Sequence, residues 1–247
     1  MIPKSHPRYE SLLLRDKMIT ASKEGYLADS AMIAHGRGEA FDYLIGEKTT
    51  YPAKRAMYVA VAVLLLSNNP VISVNGNTTA LACDEIIELA KSVKAKIEIN
   101  LFYRTDDRVK IMTQIYKGHG YDEILGTLDD DIEYLNEIEN NRASASKTGI
   151  YSADTILIPL EDGDRAEILK KTGKNIITID LNPLSRTSKM SDVSIMDNIV
   201  RAIPFMTKIA EDLKTQDKAV LMEMVNEFDN DENLKESLQQ IRLKEWK

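Results

Sequence analysis

From Pro70 onward the chain alternates short β-branched runs with helix-length segments, and this grammar limits the fold more than any other feature. Val71-Ile72-Ser73-Val74 reads as a strand and Thr78 to Val93 as a helix. Lys96 to Leu101 is the next strand, Thr105 to Lys117 the next helix, and Glu123 to Leu125 a candidate short strand. Thr155-Ile156-Leu157-Ile158 is then a strand, Asp164 to Lys171 a helix, and Asn175 to Ile179 a strand ending at Asp180. Short strands of this kind, separated by helices, make a parallel sheet with right-handed crossovers. Ligands of such sheets sit beyond the carboxyl ends of the strands, where the strand order reverses.

The flanking regions carry helix periodicity. Tyr9, Leu12, Leu13 and Met18 mark one face of a first helix, and a second begins near Tyr26. Ala53 to Leu66 is apolar almost all round, as a helix buried between layers is. Ser67-Asn68-Asn69-Pro70 ends it, because the residue before proline is pushed out of the α region. Asp129 to Ala145, rich in Asp, Glu and Asn and without a hydrophobic period, is expected to be a mobile excursion. After Pro204 the helix pattern returns. Residues 217–247 alternate Val220, Leu221, Met224 and Val225 with charge, which suits packing on the body or on a second subunit. The expected organisation is one α/β domain over 1–247: a helical region 1–69, a core 70–205 and helices 206–247.

Composition narrows the function classes. A chain of 247 residues that is 43% hydrophobic and 29% charged can bury a sizeable core. Its net charge of −7, from 39 acidic and 32 basic residues, provides no uniform field for a nucleic-acid backbone or an anionic membrane. Small molecules are the expected partners. The longest apolar run, Val59 to Leu66, falls far short of the ~20 residues of a spanning helix, and the opening MIPKSHPRYE has no secretory core. A single cysteine, Cys83, rules out an intrachain disulfide and fits a cytoplasmic protein.

The chemistry should lie in the turns that follow the strands. These read Asn75-Gly76-Asn77-Thr78-Thr79, Asn100-Leu101-Phe102-Tyr103-Arg104-Thr105, Pro159-Leu160-Glu161-Asp162-Gly163-Asp164-Arg165 and Asp180-Leu181-Asn182-Pro183-Leu184-Ser185-Arg186-Thr187. Thr78, Thr105 and Asp164 can serve simply as helix caps, which satisfy orphan N–H groups without any ligand. Arg104, Arg165 and Arg186 cannot cap in this way, because a guanidinium only donates. Together they suit a multiply anionic ligand, whereas each taken alone could be solvated surface.

Known nucleotide motifs are absent. Gly36-Arg37-Gly38-Glu39-Ala40-Phe41 lacks the third glycine of the dinucleotide fingerprint and follows no strand. Gly46-Glu47-Lys48-Thr49 and Gly173-Lys174-Asn175 each lack part of the P-loop pattern. His6, His35 and His119 are scattered without metal-ligand spacing, and Cys83 has no evident histidine partner.

Six segments, "IPKSHPRYESLLLRDKM", "IAHGRGEAFDYLIGEKT", "PVISVNGNTTALA", "EINLFYRTDDRV", "GIYSADTILIPLEDGDRAEIL" and "IDLNPLSRTS", resemble successive parts of archaeal phosphopantothenate synthetases, in order from residue 2 to about residue 205. The resemblance implies a Rossmann-like α/β core, a homodimer and a ligase that joins 4-phosphopantoate to β-alanine using ATP, with release of AMP and pyrophosphate. It also implies an acyl-adenylate intermediate. Carried over by motif, the ATP-binding positions are Arg15, Arg37, Asp180, Leu181, Asn182, Arg186, Thr187, Asn198 and Ile199. Arg15, Arg37 and Arg186 would neutralise phosphate, and Asp180 and Asn182 would hold ribose or adenine.

The remaining loops are assigned from their own chemistry. Asn75, Gly76, Asn77 and Thr78, at a strand–turn–helix junction, are expected to bind phosphopantoate with help from Arg104. Arg37, Asn77 and Arg104 are the groups expected to act at the reacting centre. Glu161, Asp162 and Asp164 are expected to orient the β-alanine ammonium, with Asp162 and Asp164 as ligands of Mg²⁺; solvated loop carboxylates are the competing reading. His35 is a candidate for taking the amine's proton on its pKa class alone. Two alternatives stay open: another nucleotide- or sugar-phosphate-binding α/β enzyme, and a non-catalytic module that senses an anionic metabolite.

Overall fold

A computed structural model of the chain describes residues 3–6, 8–135 and 143–242. Three helices come first: α1 (Tyr9–Lys23), α2 (Asp29–Ile45) and α3 (Tyr51–Leu66). The alternating region then runs β1 (Pro70–Val74), α4 (Gly76–Val93), β2 (Lys96–Ile99) and α5 (Asp106–Gly118). A small ribbon, β3 (Ile132–Tyr134) and β4 (Ser144–Ser146), leads to β5 (Thr155–Pro159), α6 (Gly163–Lys171), β6 (Asn175–Asp180), α7 (Arg186–Met190) and β7 (Val193–Met196). Helices α8 (Ile199–Leu213), α9 (Lys218–Asn226) and α10 (Asn230–Arg242) close the chain.

Five strands form one sheet in the order β2-β1-β5-β6-β7, and every neighbouring pair is parallel. This is the Rossmann-like α/β architecture that the alternation predicts, with helical regions at both ends. Strand order reverses between β1 and β5, and there the outgoing connections diverge and leave a crevice. Alternation along each strand feeds two apolar layers. Ile72, Val74, Leu157, Ile177, Ile179 and Ile195 join α3, α4 and α8 in the larger core. Val71, Ile156, Ile158 and Ile176 meet Ala166 and Leu169 of α6 on the other face.

Helix α3 is the interior helix that its all-round hydrophobicity predicts, with Met57, Val61 and Leu64 fully buried. Each such side chain stabilises the fold by about 2 kcal/mol. Thr50 caps α3, its side chain accepting from the Ala53 N–H, and Pro52 sits in the first turn, where its missing N–H costs nothing. Ser67 is already extended, so Pro70 can open β1. Helix α4 is not continuous: Ala82 (φ −150°, ψ 37°) breaks it inside its span.

Several expectations are corrected. Glu123 to Leu125 is not a strand, because Leu125 makes only an isolated parallel bridge to Glu98. Gly126 (φ +73°) then turns the chain where an added Cβ would lie 2.2 Å from the Ile99 carbonyl oxygen. Val193 to Met196, not foreseen as a strand, forms the sheet edge. The stripe on α1 is only partly right: Met18 is buried, but Leu13 is exposed and Ser11 is buried instead, with its hydroxyl on Glu39. In the expected excursion, residues 136–142 lie outside the described residues, and its flanks pair as antiparallel β3 and β4. The tail packs on the body, α9 against α3 and α10 against α3 and β7; residues 243–247 lie outside the described residues. Cys83 is buried and unpaired. Among the described residues no helix is long and apolar enough to cross a membrane.

Candidate active site

A cavity of about 390 Å³ opens at the reversal of strand order, bounded by the turns after β1, β2 and β5 and covered by residues from Tyr26 to Arg37. The β1 turn is built by a reciprocal cap. The Asn75 side chain accepts from the Thr78 N–H (3.1 Å), and the Thr78 hydroxyl accepts from the Asn75 N–H (2.7 Å). The same Asn75 side chain donates to the Leu160 carbonyl (3.0 Å) and so ties the β1 turn to the β5 turn across the crevice. Leu160 carries a positive φ of 53°, a conformation that costs a non-glycine residue energy and that concentrates at ligand clamps.

Gly76 and Asn77 line the cavity. A Cβ on Gly76 would lie 2.9 Å from the Tyr26 carbonyl oxygen, so only glycine lets the α2 approach close over this turn. Asn77 donates to the Ala31 carbonyl of α2 (3.3 Å). Thr78 is fully buried, is consumed by the cap and does not reach the cavity. Glu161 and Asp162 line the cavity, and Asp162 also caps α6, accepting from the Arg165 N–H (2.9 Å). Asp164 points elsewhere, into an exposed ion pair with Arg186 (2.8 Å).

After β2, the cavity takes Asn100, Leu101, Phe102 and Tyr103, but not Arg104. Arg104 is half-buried and donates to the carbonyls of Gly126 (3.0 Å) and Thr127 (3.2 Å). Arg108 supplies a guanidinium in its stead, one nitrogen held by the Tyr103 carbonyl (2.9 Å). Sequence reasoning missed it. The usable signal is the cap: Thr105 accepts from the Arg108 N–H (3.3 Å), and a side chain in a helix's first turn leans back toward the N-terminus, over the preceding loop. Across the cavity stands Arg37, exposed and without a hydrogen bond or ion pair to any described residue.

The turn after β6 adjoins this cavity without lining it. Asp180 accepts from the N–H groups of Leu181 (2.6 Å) and Asn182 (3.1 Å) and from the Ser185 hydroxyl (2.6 Å), which winds the turn tightly. Leu181 lies beneath Gly38 of α2, and the buried Thr187 donates to the Glu161 carbonyl (2.9 Å). Arg186 reaches Asp164 and Glu167, both at 2.8 Å, in exposed pairs. Such pairs are worth little and exchange readily for a stronger anion. Arg15 is spent on Glu39 (2.8 Å), also partly exposed. Burial pushes the Glu39 pKa up, but hydrogen bonds from Arg15 and Ser11 and the charges of Arg15 and Arg8 outweigh it and hold it low. Asn198 caps α8 and donates to Asp42 (2.8 Å), and Ile199 is buried. Arg201 bridges Asp42 (2.5 Å) and Asp197 (2.6 Å) below them.

His35 does not line the cavity, and burial, the main cause, pushes its pKa down, which keeps the imidazole neutral. Among the described residues no group of three or more His, Cys, Asp or Glu side chains is arranged to hold a metal ion. The cavity-lining carboxylates Glu161 and Asp162 still fit Mg²⁺, which takes one or two carboxylates and keeps the rest of its shell in water and phosphate oxygen.

The fold and this crevice define an α/β protein with guanidinium, amide and carboxylate groups gathered at the strand-order reversal. The family model described as phosphopantothenate/pantothenate synthetase matches residues 52–244, and the chain belongs to that family. The 4-phosphopantoate–beta-alanine ligase of Thermococcus onnurineus (strain NA1) is 51% identical over 242 residues, spanning 98% of this chain and 92% of its own length. The ligase of the same name from Methanosarcina mazei is 49% identical over 241 residues (98% and 94%). That of Methanospirillum hungatei JF-1 is 45% identical over 242 residues (98% and 97%).

Proposed function

We propose that this protein is a 4-phosphopantoate–β-alanine ligase that uses ATP, forms AMP and pyrophosphate, and supplies 4'-phosphopantothenate for coenzyme A biosynthesis. The observation that carries the reading from the structure is the meeting of Arg37, Arg108, Asn77, Glu161 and Asp162 in one cavity at the switch point. That set offers donors to anions on one hand and carboxylates to a cation on the other.

The chemistry asks for this pairing. A carboxylate oxygen leaves poorly, so it first attacks the α-phosphorus of ATP and expels pyrophosphate. The amine, having given up a proton, then attacks the acyl carbon, and AMP departs with the original carboxylate oxygen. The residues' task is to hold two phosphorylated anions in line and to meet the charge that builds in transit. Arg37 has no described partner to surrender, and Arg108 is already aimed by Tyr103. The turn from Asp180 to Thr187 lies against α2 and Glu161, so nucleotide held there by Asp180, Asn182, Arg186 and Thr187 would be next to the cavity. Asp162 and Glu161 are the residues that would hold Mg²⁺, which would supply positive charge for a pyrophosphate leaving group. Asp164 is not in that set, because it does not line the cavity. The working form is read as a homodimer in the cytoplasm.

The test is direct. Incubation with ATP, Mg²⁺, 4-phosphopantoate and β-alanine must yield AMP in step with amide product, and none when either co-substrate is withheld. Asn77→Ala should raise the KM for 4-phosphopantoate about tenfold and leave that for ATP nearly unchanged; equal effects would remove Asn77 from the phosphopantoate site.

A further inference from the structure

Glu98 is a carboxylate in the middle of a buried strand and is 1% exposed. Its Oε1 accepts from the Ser146 N–H (3.0 Å) and from Asn100 Nδ2 (3.0 Å), and its Oε2 accepts from the Ile150 N–H (2.6 Å). The two backbone N–H groups can only donate, and Asn100 turns its amide nitrogen toward Oε1 and its amide oxygen away from Glu98. Asn100 is itself buried, lines the switch-point cavity and is anchored through its N–H to the Val74 carbonyl (2.8 Å). Its Oδ1 accepts no hydrogen bond from the described residues, yet it is not among the buried polar atoms that lack a partner. It is therefore an open acceptor on the cavity wall, held still from behind.

We propose that Asn100, oriented by Glu98, presents its amide oxygen to the ammonium group of the amine substrate. The proposal rests on the ligase reading and goes beyond it, by giving the amine a place and a recognising atom. A fixed neutral acceptor suits this task better than a third carboxylate. It holds an ammonium without lowering its acidity as strongly as a charge would, and the amine must lose a proton before it attacks. Glu98 touches no substrate; it is a positioning residue.

The experiment measures KM for all three substrates in the AMP-forming assay, for wild type, Asn100→Ala, Glu98→Gln and the double variant. Wild type that forms no AMP would refute the ligase reading itself. With wild type active, Asn100→Ala should raise the β-alanine KM by at least about tenfold, and those of ATP and 4-phosphopantoate by no more than about twofold. The double variant should show the β-alanine KM of Asn100→Ala alone, because Glu98 acts on the amine only through Asn100. Equal increases for all three substrates, or a main effect on 4-phosphopantoate through its hydroxyl, overturn the proposal. If Asn100→Ala does not fold, Asn100→Ser is judged by the same split.

Discussion

Glu98→Gln also isolates the stability cost of a buried carboxylate. Burial, the largest influence, raises the Glu98 pKa from 4.5 to about 7, against the pull of the Ile150 and Ser146 N–H groups and of Arg165, with Asp130 adding to the rise. The folded state therefore holds a proton across an interval in which the unfolded chain has lost it. The stabilisation from that proton is complete below 4.5 and is lost as pH rises through about 7. At roughly 1.4 kcal/mol per pH unit, the interval amounts to about 3 kcal/mol. Glutamine cannot titrate. Its amide N–H must face one of the three donors that Glu98 accepts from, a cost of about 1–3 kcal/mol that is the same at every pH. Urea unfolding of both proteins from about pH 5 to about pH 8 gives the difference curve, in which the other ionisable groups cancel. Wild type should lose most of those 3 kcal/mol relative to the variant as pH rises. A difference that stays flat with pH would refute the linkage.

Arg37→Ala should leave the melting temperature within about 2 °C, since no described partner is lost, while kcat/KM falls by at least about tenfold. Asp42→Ala should cost about 2–4 kcal/mol in urea unfolding, because it strips Arg201 and Asn198 of a buried acceptor. Burial and the nearby Asp84 and Glu85 push the Cys83 thiol up to about 12, so iodoacetamide at about pH 8 should modify it only after unfolding; native labelling at the rate of a free thiol would contradict that burial.

The sheet was legible because β-branched runs and helix lengths are local properties, and so was the position of three of the four turns at one crevice. Side-chain direction was not legible. Arg104 and Arg108 lie four residues apart, on either side of the cap Thr105, yet the Gly126 and Thr127 carbonyls capture the first and the Tyr103 carbonyl aims the second. Lys96-Ile97-Glu98-Ile99 alternates polar and apolar residues, a local pattern that carries no sign of the burial of Glu98; the segment from Ser146 to Ile150, distant in sequence, covers it. The β7 edge was not legible because Val193-Ser194-Ile195-Met196 is only four residues long and is interrupted by Ser194, and its pairing with β6 is what makes it a strand. Asp164 seemed one of a carboxylate trio until its register on α6 turned it toward Arg186.

The break at Ala82 divides one helix into two pieces with different duties. Residues 76–81 follow the β1 turn, which Asn75 ties to Leu160 and Asn77 to Ala31 of α2. Residues 83–93 are bedded among the apolar side chains of the larger core. Natural drift or deliberate redesign can therefore repack residues 83–93 for robustness without displacing the turn that Asn75 and Asn77 hold against its neighbours.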